Sequence, residues 1–260
     1  MWFLFSYTLS VKQYSNYLND IPRYGLGIVF LWFGFDKFFI HEFYLTWFSA
    51  TERVRVFLPF EDLSLSIYVI GIVELVFAAL LFTGVKIRWV SVAVIMFLLI
   101  ILLTAQYPSS FPQDIGLLGI AGLLVLTNVT WKKAETEKFL KFLWVIRYSI
   151  ATVLFLWAAD HIVNINRHIG WLQLSSPLTR GLAANEVNSF LVAIFVVEMI
   201  LGCMIALGKV SLTKFALVAV TIFFVFAMVA LAPPLNNHQT IGLALATAWL
   251  AFIAHSKNKV

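Results

Sequence analysis

One cysteine, seven prolines and 12% charged residues in 260 positions are small numbers, and each closes off a class of function. Cys203 alone cannot form an intramolecular disulfide, a CxxC redox pair or a cysteine cluster for zinc or iron–sulfur. Soluble domains carry roughly 25% charged residues, so this chain has too few charges to clothe itself for water. Pro108, Pro112, Pro233 and Pro234 fall in turn-like stretches, leaving the long apolar runs unbroken at mid-length. There is no GxGxxG, P-loop, nucleophile elbow, HExxH or HxxxH pattern among the five histidines His41, His161, His168, His238 and His255. No metal site is therefore expected.

What the chain does have is apolar surface: 62% hydrophobic residues with 25 Phe and 9 Trp, and a mean hydropathy of +0.93. Lipid is the solvent that accepts such a surface. A helix needs about 20 mostly apolar residues to cross the hydrocarbon core, and eight candidates run over 22–40, 64–85, 88–106, 114–131, 142–162, 187–207, 212–232 and 240–255. The runs are continuous where a membrane barrel would alternate, so the fold class expected is an all-α integral membrane protein with eight transmembrane helices. Residues 1–21 have no basic stretch ahead of their apolar residues and no small-residue cleavage site, and are read as a retained interfacial segment.

The net charge of +5 would suggest nucleic acid in a soluble protein; beside apolar runs the same residues meet anionic lipid instead, and no nucleic-acid partner is expected. With eight spans, 13 basic residues fall on the side of the termini and 5 on the other, accounting for all 18. Basic residues accumulate in cytoplasmic loops, so both termini are predicted to be cytoplasmic and the location a cell (plasma) membrane.

Sliding the sequence by 124 positions brings Arg23 onto Arg147, Asp36 onto Asp160, Trp47 onto Trp171, Glu74 onto Glu198 and Gly84 onto Gly208. GIVELVFAALLFTG at 71–84 then faces FVVEMILGCMIALG at 195–208, and QDIG at 113–116 follows QTIG at 239–242 after a small insertion. Apolar runs align by chance; Arg, Asp, Trp, Glu and Gly positions in one register do not. The expectation is two tandem four-helix repeats, 22–131 and 142–260, joined by a basic linker at 132–141. Four spans per copy is an even number, so the copies share one orientation.

Glu74 and Glu198 each lie about ten residues inside a span, roughly 15 Å from its end. An ionisable side chain at that depth is expensive and by default functional, although a protonated Glu that fixes helix packing fits the sequence equally. Asp36 with Lys37, Asp160 with His161, and Asp114 and His238 all fall toward the side opposite the termini, gathering carboxylates and imidazoles at one face. Helix-end polarity is the competing account: Asp114 is placed to cap its helix and Lys37 to snorkel. Arg23 and Arg147 enter their spans from the terminal side and are candidates for lipid phosphate or for helix carbonyls across the bundle.

RYGLGIVFLWFGFDKFF at 23–39, GIVELVFAALLFTGV at 71–85 and QDIGLLGIAGLLVL at 113–126 resemble the DoxX-like family of four-span membrane proteins. The matching positions are Arg23, Gly34, Lys37, Glu74 and Gly84; the second copy departs with Ala158 and His161 where Gly34 and Lys37 stand. What the resemblance implies is an association with respiratory and sulfur redox chemistry, including thiosulfate:quinone oxidoreduction. The function expected is a quinone-linked or redox-associated subunit, with Glu74 or Glu198 supplying a proton or hydrogen bond to a quinone between helices and with a quinone or a partner subunit needed to move electrons. A proton-coupled carrier and a noncatalytic scaffold or assembly factor stay open beside it.

Overall fold

The computed structural model describes residues 20–50, 52–104, 111–127, 136–176, 178–208, 210–227 and 238–256. Regular structure in these residues is helical: α1 (Ile21–Phe39), α2 (His41–Ala50), α3 (Glu52–Arg55), α4 (Leu63–Thr83), α5 (Ile87–Thr104), α6 (Phe111–Thr127), α7 (Thr136–Val163), α8 (Ile165–Ser175), α9 (Ala184–Leu207), α10 (Val210–Phe226) and α11 (His238–Ser256). Each of the eight expected runs coincides with a long helix, and α2, α3 and α8 are short additions at one end. The expected interfacial segment falls almost wholly outside the described residues. Of the expected linker, 132–135 also falls outside them, and 136–141 form the first turns of α7.

Four helices are long and apolar enough to cross a membrane by length and composition: Leu63–Thr83, Ile87–Thr104, Phe142–Val163 and Ala184–Leu207. Only 33% of each of these apolar windows is buried inside the fold, and side chains such as Trp89, Leu103, Ile200 and Leu207 point outward as lipid-facing residues do. α1 has comparable length, 19 residues, but carries Arg23, Asp36 and Lys37. α6, α10 and α11 contain shorter apolar stretches.

Local chemistry sets several helix ends. Pro22 opens α1, where its missing N–H costs nothing. Asp62 caps α4 by accepting from the Ser64 and Leu65 amides at 2.8 and 3.2 Å. Glu186 accepts from the Ala183 amide at 2.8 Å at the start of α9. α4 and α9 both end on a glycine in the left-handed region, Gly84 at φ 69° and Gly208 at φ 69°, where a side chain would be strained.

The long helices close into a ring in which α1 packs on α4, α4 on α5, α5 on α6, α6 on α7, α7 on α9, α9 on α10, α10 on α11, and α11 back on α1. α6 and α11 meet across the middle. One apolar core runs through both halves of the chain, from Leu26, Phe30 and Leu81 to Leu154, Ile205 and Trp249. Two satellite clusters sit under the short helices: Tyr44, Phe48, Val54 and Ile67 beneath α2 and α3, and Leu172, Val187, Leu191 and Ile194 beneath α8.

Glycine permits the closest crossings. Gly242 on α11 sits against Val29 and Leu117, and Gly116 on α6 sits against Val153 and Leu243, so the α11–α1 and α6–α7 crossings repeat one arrangement with their chain halves exchanged. At the α1–α4 crossing a Cβ on Gly34 would come within 2.7 Å of Leu75 Cγ and 2.9 Å of the Gly71 carbonyl. Gly34→Ala is therefore expected to lower stability by about 1–3 kcal/mol through overpacking. Gly170→Ala, which meets nothing within 4 Å, should be neutral or slightly stabilising, and thermal unfolding in mild detergent compares the two.

Candidate functional site

The close α1–α4 crossing brings the last turn of α1 onto the middle of α4. Lys37 Nζ lies 2.9 Å from Glu74 Oε1 and 2.6 Å from Oε2, with the two side chains only 5% and 2% exposed. The ammonium also donates to the Phe33 carbonyl at 3.3 Å and stands 4.6 Å from the Tyr44 ring centroid, a cation–π contact strengthened by burial. Asp36 is buried next to it and accepts a hydrogen bond from Trp32. Burial, with the Glu74 and Asp36 charges, raises the Tyr44 phenol above its ordinary pKa, so it stays protonated.

The same constellation recurs where α7 crosses α9. His161 Nδ1 is 2.9 Å from Glu198 Oε2, and the pair is separated by the same 37 residues as Lys37 and Glu74. The place of Tyr44 is taken by His168, whose ring meets that of His161 edge-on with centroids 4.8 Å apart. His168 Nε2 lies 2.8 Å from Asp160 Oδ2, and Asn164 Nδ2 donates to Asp160 Oδ1 at 2.6 Å. Burial, then the neighbouring His161, keeps His168 below its ordinary pKa of 6.5 despite Asp160, with Arg167 adding to the lowering. A neutral ring is thus favoured by folding, and the stability it contributes above pH 6.5 is lost as acid charges it.

The two sites differ in what their carboxylates have left over. Glu74 accepts the Lys37 hydrogen bond at Oε1, and its Oε2, which has no hydrogen-bond partner of its own among the described residues, still lies 2.6 Å from the ammonium as an ion-pair contact. Glu198 gives one oxygen to His161, and its Oε1 is buried with no hydrogen-bond partner among the described residues.

Other candidates fall elsewhere. Arg23 is 4% exposed; its Nη1 donates to the Leu81 and Phe82 carbonyls at 2.6 and 2.8 Å, and Asp20 pairs with it at 3.0 Å. It therefore caps the C-terminal end of α4 from a neighbouring helix, adding positive charge where the helix dipole favours it. Arg147 lies against Gly208 at the end of α9, so close that a Cβ there would meet its Nη1 at 2.5 Å. Asp114 is buried in the first turn of α6, and His238 is the first residue of α11, its side chain outside those described. Arg55, Leu58, Phe60, Glu61 and Leu63 line an open groove of about 350 Å³ in the segment that leads into α4.

Sequence reasoning passed over Tyr44 and missed the role of His168. They occupy equivalent positions under the 124-residue shift, which was the available signal. His41 also acquires a structural place: its Nε2 is 2.9 Å from Ser64 Oγ and its ring stacks on Tyr68 at 4.4 Å, tying α2 to α4.

Residues 19–106 match the model of the DoxX family, a segment that holds α1 to α5 and the whole Lys37–Glu74 site. No curated protein and no solved structure matches the chain. With the long apolar helices, the match makes this a multi-pass integral membrane protein whose first part is DoxX-like.

A buried ion pair broken on one side strands a charge, at a cost of about 3–5 kcal/mol, whereas replacing both members with apolar groups is close to neutral. Lys37→Met should therefore lose stability on that scale, and Lys37→Met with Glu74→Leu should recover most of it. Unfolding of the purified variants in detergent reads the difference.

Proposed function

From the premise that residues 19–106 form a DoxX unit, we propose that the protein is a redox-associated membrane subunit in which a quinone headgroup reaches Glu198 between helices. In this reading all eight long helices span the bilayer, the chain is a tandem pair of four-helix repeats in one orientation, and both termini lie on the cytoplasmic side of a plasma membrane. The recurrence of the Glu–base pair at a 37-residue spacing supports the duplication. So do the exchanged glycine crossings and the ring of helices.

The observation that carries the functional reading is the uncommitted Glu198 Oε1, a buried carboxylate oxygen in a protein with one cysteine and no metal-ligand cluster among the described residues. A quinone carbonyl could take a hydrogen bond or, on reduction, a proton there. With a quinone bound, Glu198 in its acid form would supply one of the two protons of reduction, the second coming from water and the two electrons from a redox partner subunit. Glu74, with both oxygens on Lys37, serves packing in the first half.

The test is the amount of quinone extracted by solvent per purified chain. Wild type and the Lys37→Met, Glu74→Leu double variant should retain near-stoichiometric quinone and Glu198→Gln should lose it. Quinone absent from wild type, or retained by Glu198→Gln, would contradict the proposal and favour the scaffold.

A further inference from the structure

Beside the Lys37–Glu74 pair, the second site has a property the first cannot have. A charged ammonium is a donor with no acceptor, so Lys37 can hold Glu74 without relaying protons. An imidazole has a nitrogen on each edge of its ring and can accept on one while releasing from the other. Two imidazoles stand in series at the α8 end of the bundle: His161, bonded to the 0%-exposed Glu198, and His168 edge-on to it, both with side chains 18% exposed.

We infer that Glu198 exchanges its proton with the aqueous surface at the α8 end through His161 and His168, with Asp160 and Asn164 as positioning residues for the outer ring. In one uptake event His168 takes a proton from water and releases one to Nε2 of a neutral His161, which in turn releases its Nδ1 proton to Glu198 Oε2, so that His168 and His161 both end neutral. The carboxylate becomes a carboxylic acid, and the site gains one proton. Asp160, bonded to His168 Nε2 at 2.8 Å and to Asn164 at 2.6 Å, fixes the outer ring. Charged and titratable groups facing the route are Asp160 and His161 from α7, Arg167 and His168 from α8, and Glu198 from α9. Burial disfavours a charged His168, so a proton taken up there is passed on rather than held. This goes beyond the quinone reading and does not need it, because the route serves whatever chemistry Glu198 carries.

Infrared spectroscopy of the full chain in lipid nanodiscs tests it. The acid carbonyl band of Glu198 is assigned by its loss in Glu198→Gln and its persistence in Glu74→Gln; where the Gln variant fails to fold, the band shift in Glu198→Asp makes the assignment. On transfer to D₂O, His168→Gln should slow exchange of that band by at least about 10²-fold, the lower end of what a positioned proton-transfer group contributes, while Tyr44→Phe leaves the rate unchanged. Unslowed exchange in His168→Gln overturns the inference. So does the absence of any Glu198-dependent acid band between about pH 4 and 9, a window spanning the ordinary carboxylate and imidazole values. Neither outcome depends on bound quinone, so this inference and the quinone proposal fail separately.

Discussion

A carboxylate in an apolar interior needs a partner, and that requirement organises this molecule. Glu74 and Glu198 are 1% and 0% exposed, each on a helix whose neighbour brings a basic side chain within 2.9 Å. For Lys37 to reach Glu74, α1 and α4 must cross closely, which Gly34 and Gly71 permit. At the opposite ends of the helix pairs, Arg23 lies on the last carbonyls of α4 and Arg147 against the glycine that ends α9. The α1–α4 and α7–α9 pairs are therefore each fixed at two depths, by a polar pair that reaches the middle of α4 or α9 and by an arginine at that helix's C-terminal end.

The second site keeps this geometry and changes the chemistry. Lys to His at position 161 replaces a fixed cation with a ring that can donate or accept, and Tyr to His at 168 places a second such ring beside the first. Satellite cores persist beneath both, with Phe48 and Ile67 matched by Leu172 and Leu191. The proposed duplication thus accounts for two different sites by one substitution pattern: a closed ion pair in one half, an open acid with an imidazole path in the other. A fused homodimer is free to diverge in this way, because its two copies no longer share one sequence.

Much of the fold was legible from hydropathy alone, since a long apolar run has few alternatives to a helix in lipid. The eight runs, the glycines at 84 and 208 and the two glutamates within apolar runs were all readable, and the 124-residue register linked the glycines and glutamates. The pairing of Lys37 with Glu74 was not, because a partner 37 residues away depends on where two helices cross, which hydropathy does not encode. Tyr44 and His168 were hidden for a related reason: they lie on the short helices α2 and α8, and which side chains they meet depends on how those helices pack against the long ones. The sequence favoured Arg23 as a lipid ligand over a partner for helix carbonyls, and its 4% exposure comes from burial that the sequence leaves open.

The central claim is that positions 37 and 161 are equivalent partners of equivalent buried glutamates. His161→Lys tests it directly, with unfolding of wild type and variant followed in the same detergent across neutral and acidic pH. The account predicts that lysine at 161 is tolerated within about 1 kcal/mol, the scale of an ordinary substitution, because it reproduces the Lys37–Glu74 pair. Destabilisation as large as that of His161→Ala would contradict it, showing that the two crossings are not versions of one site.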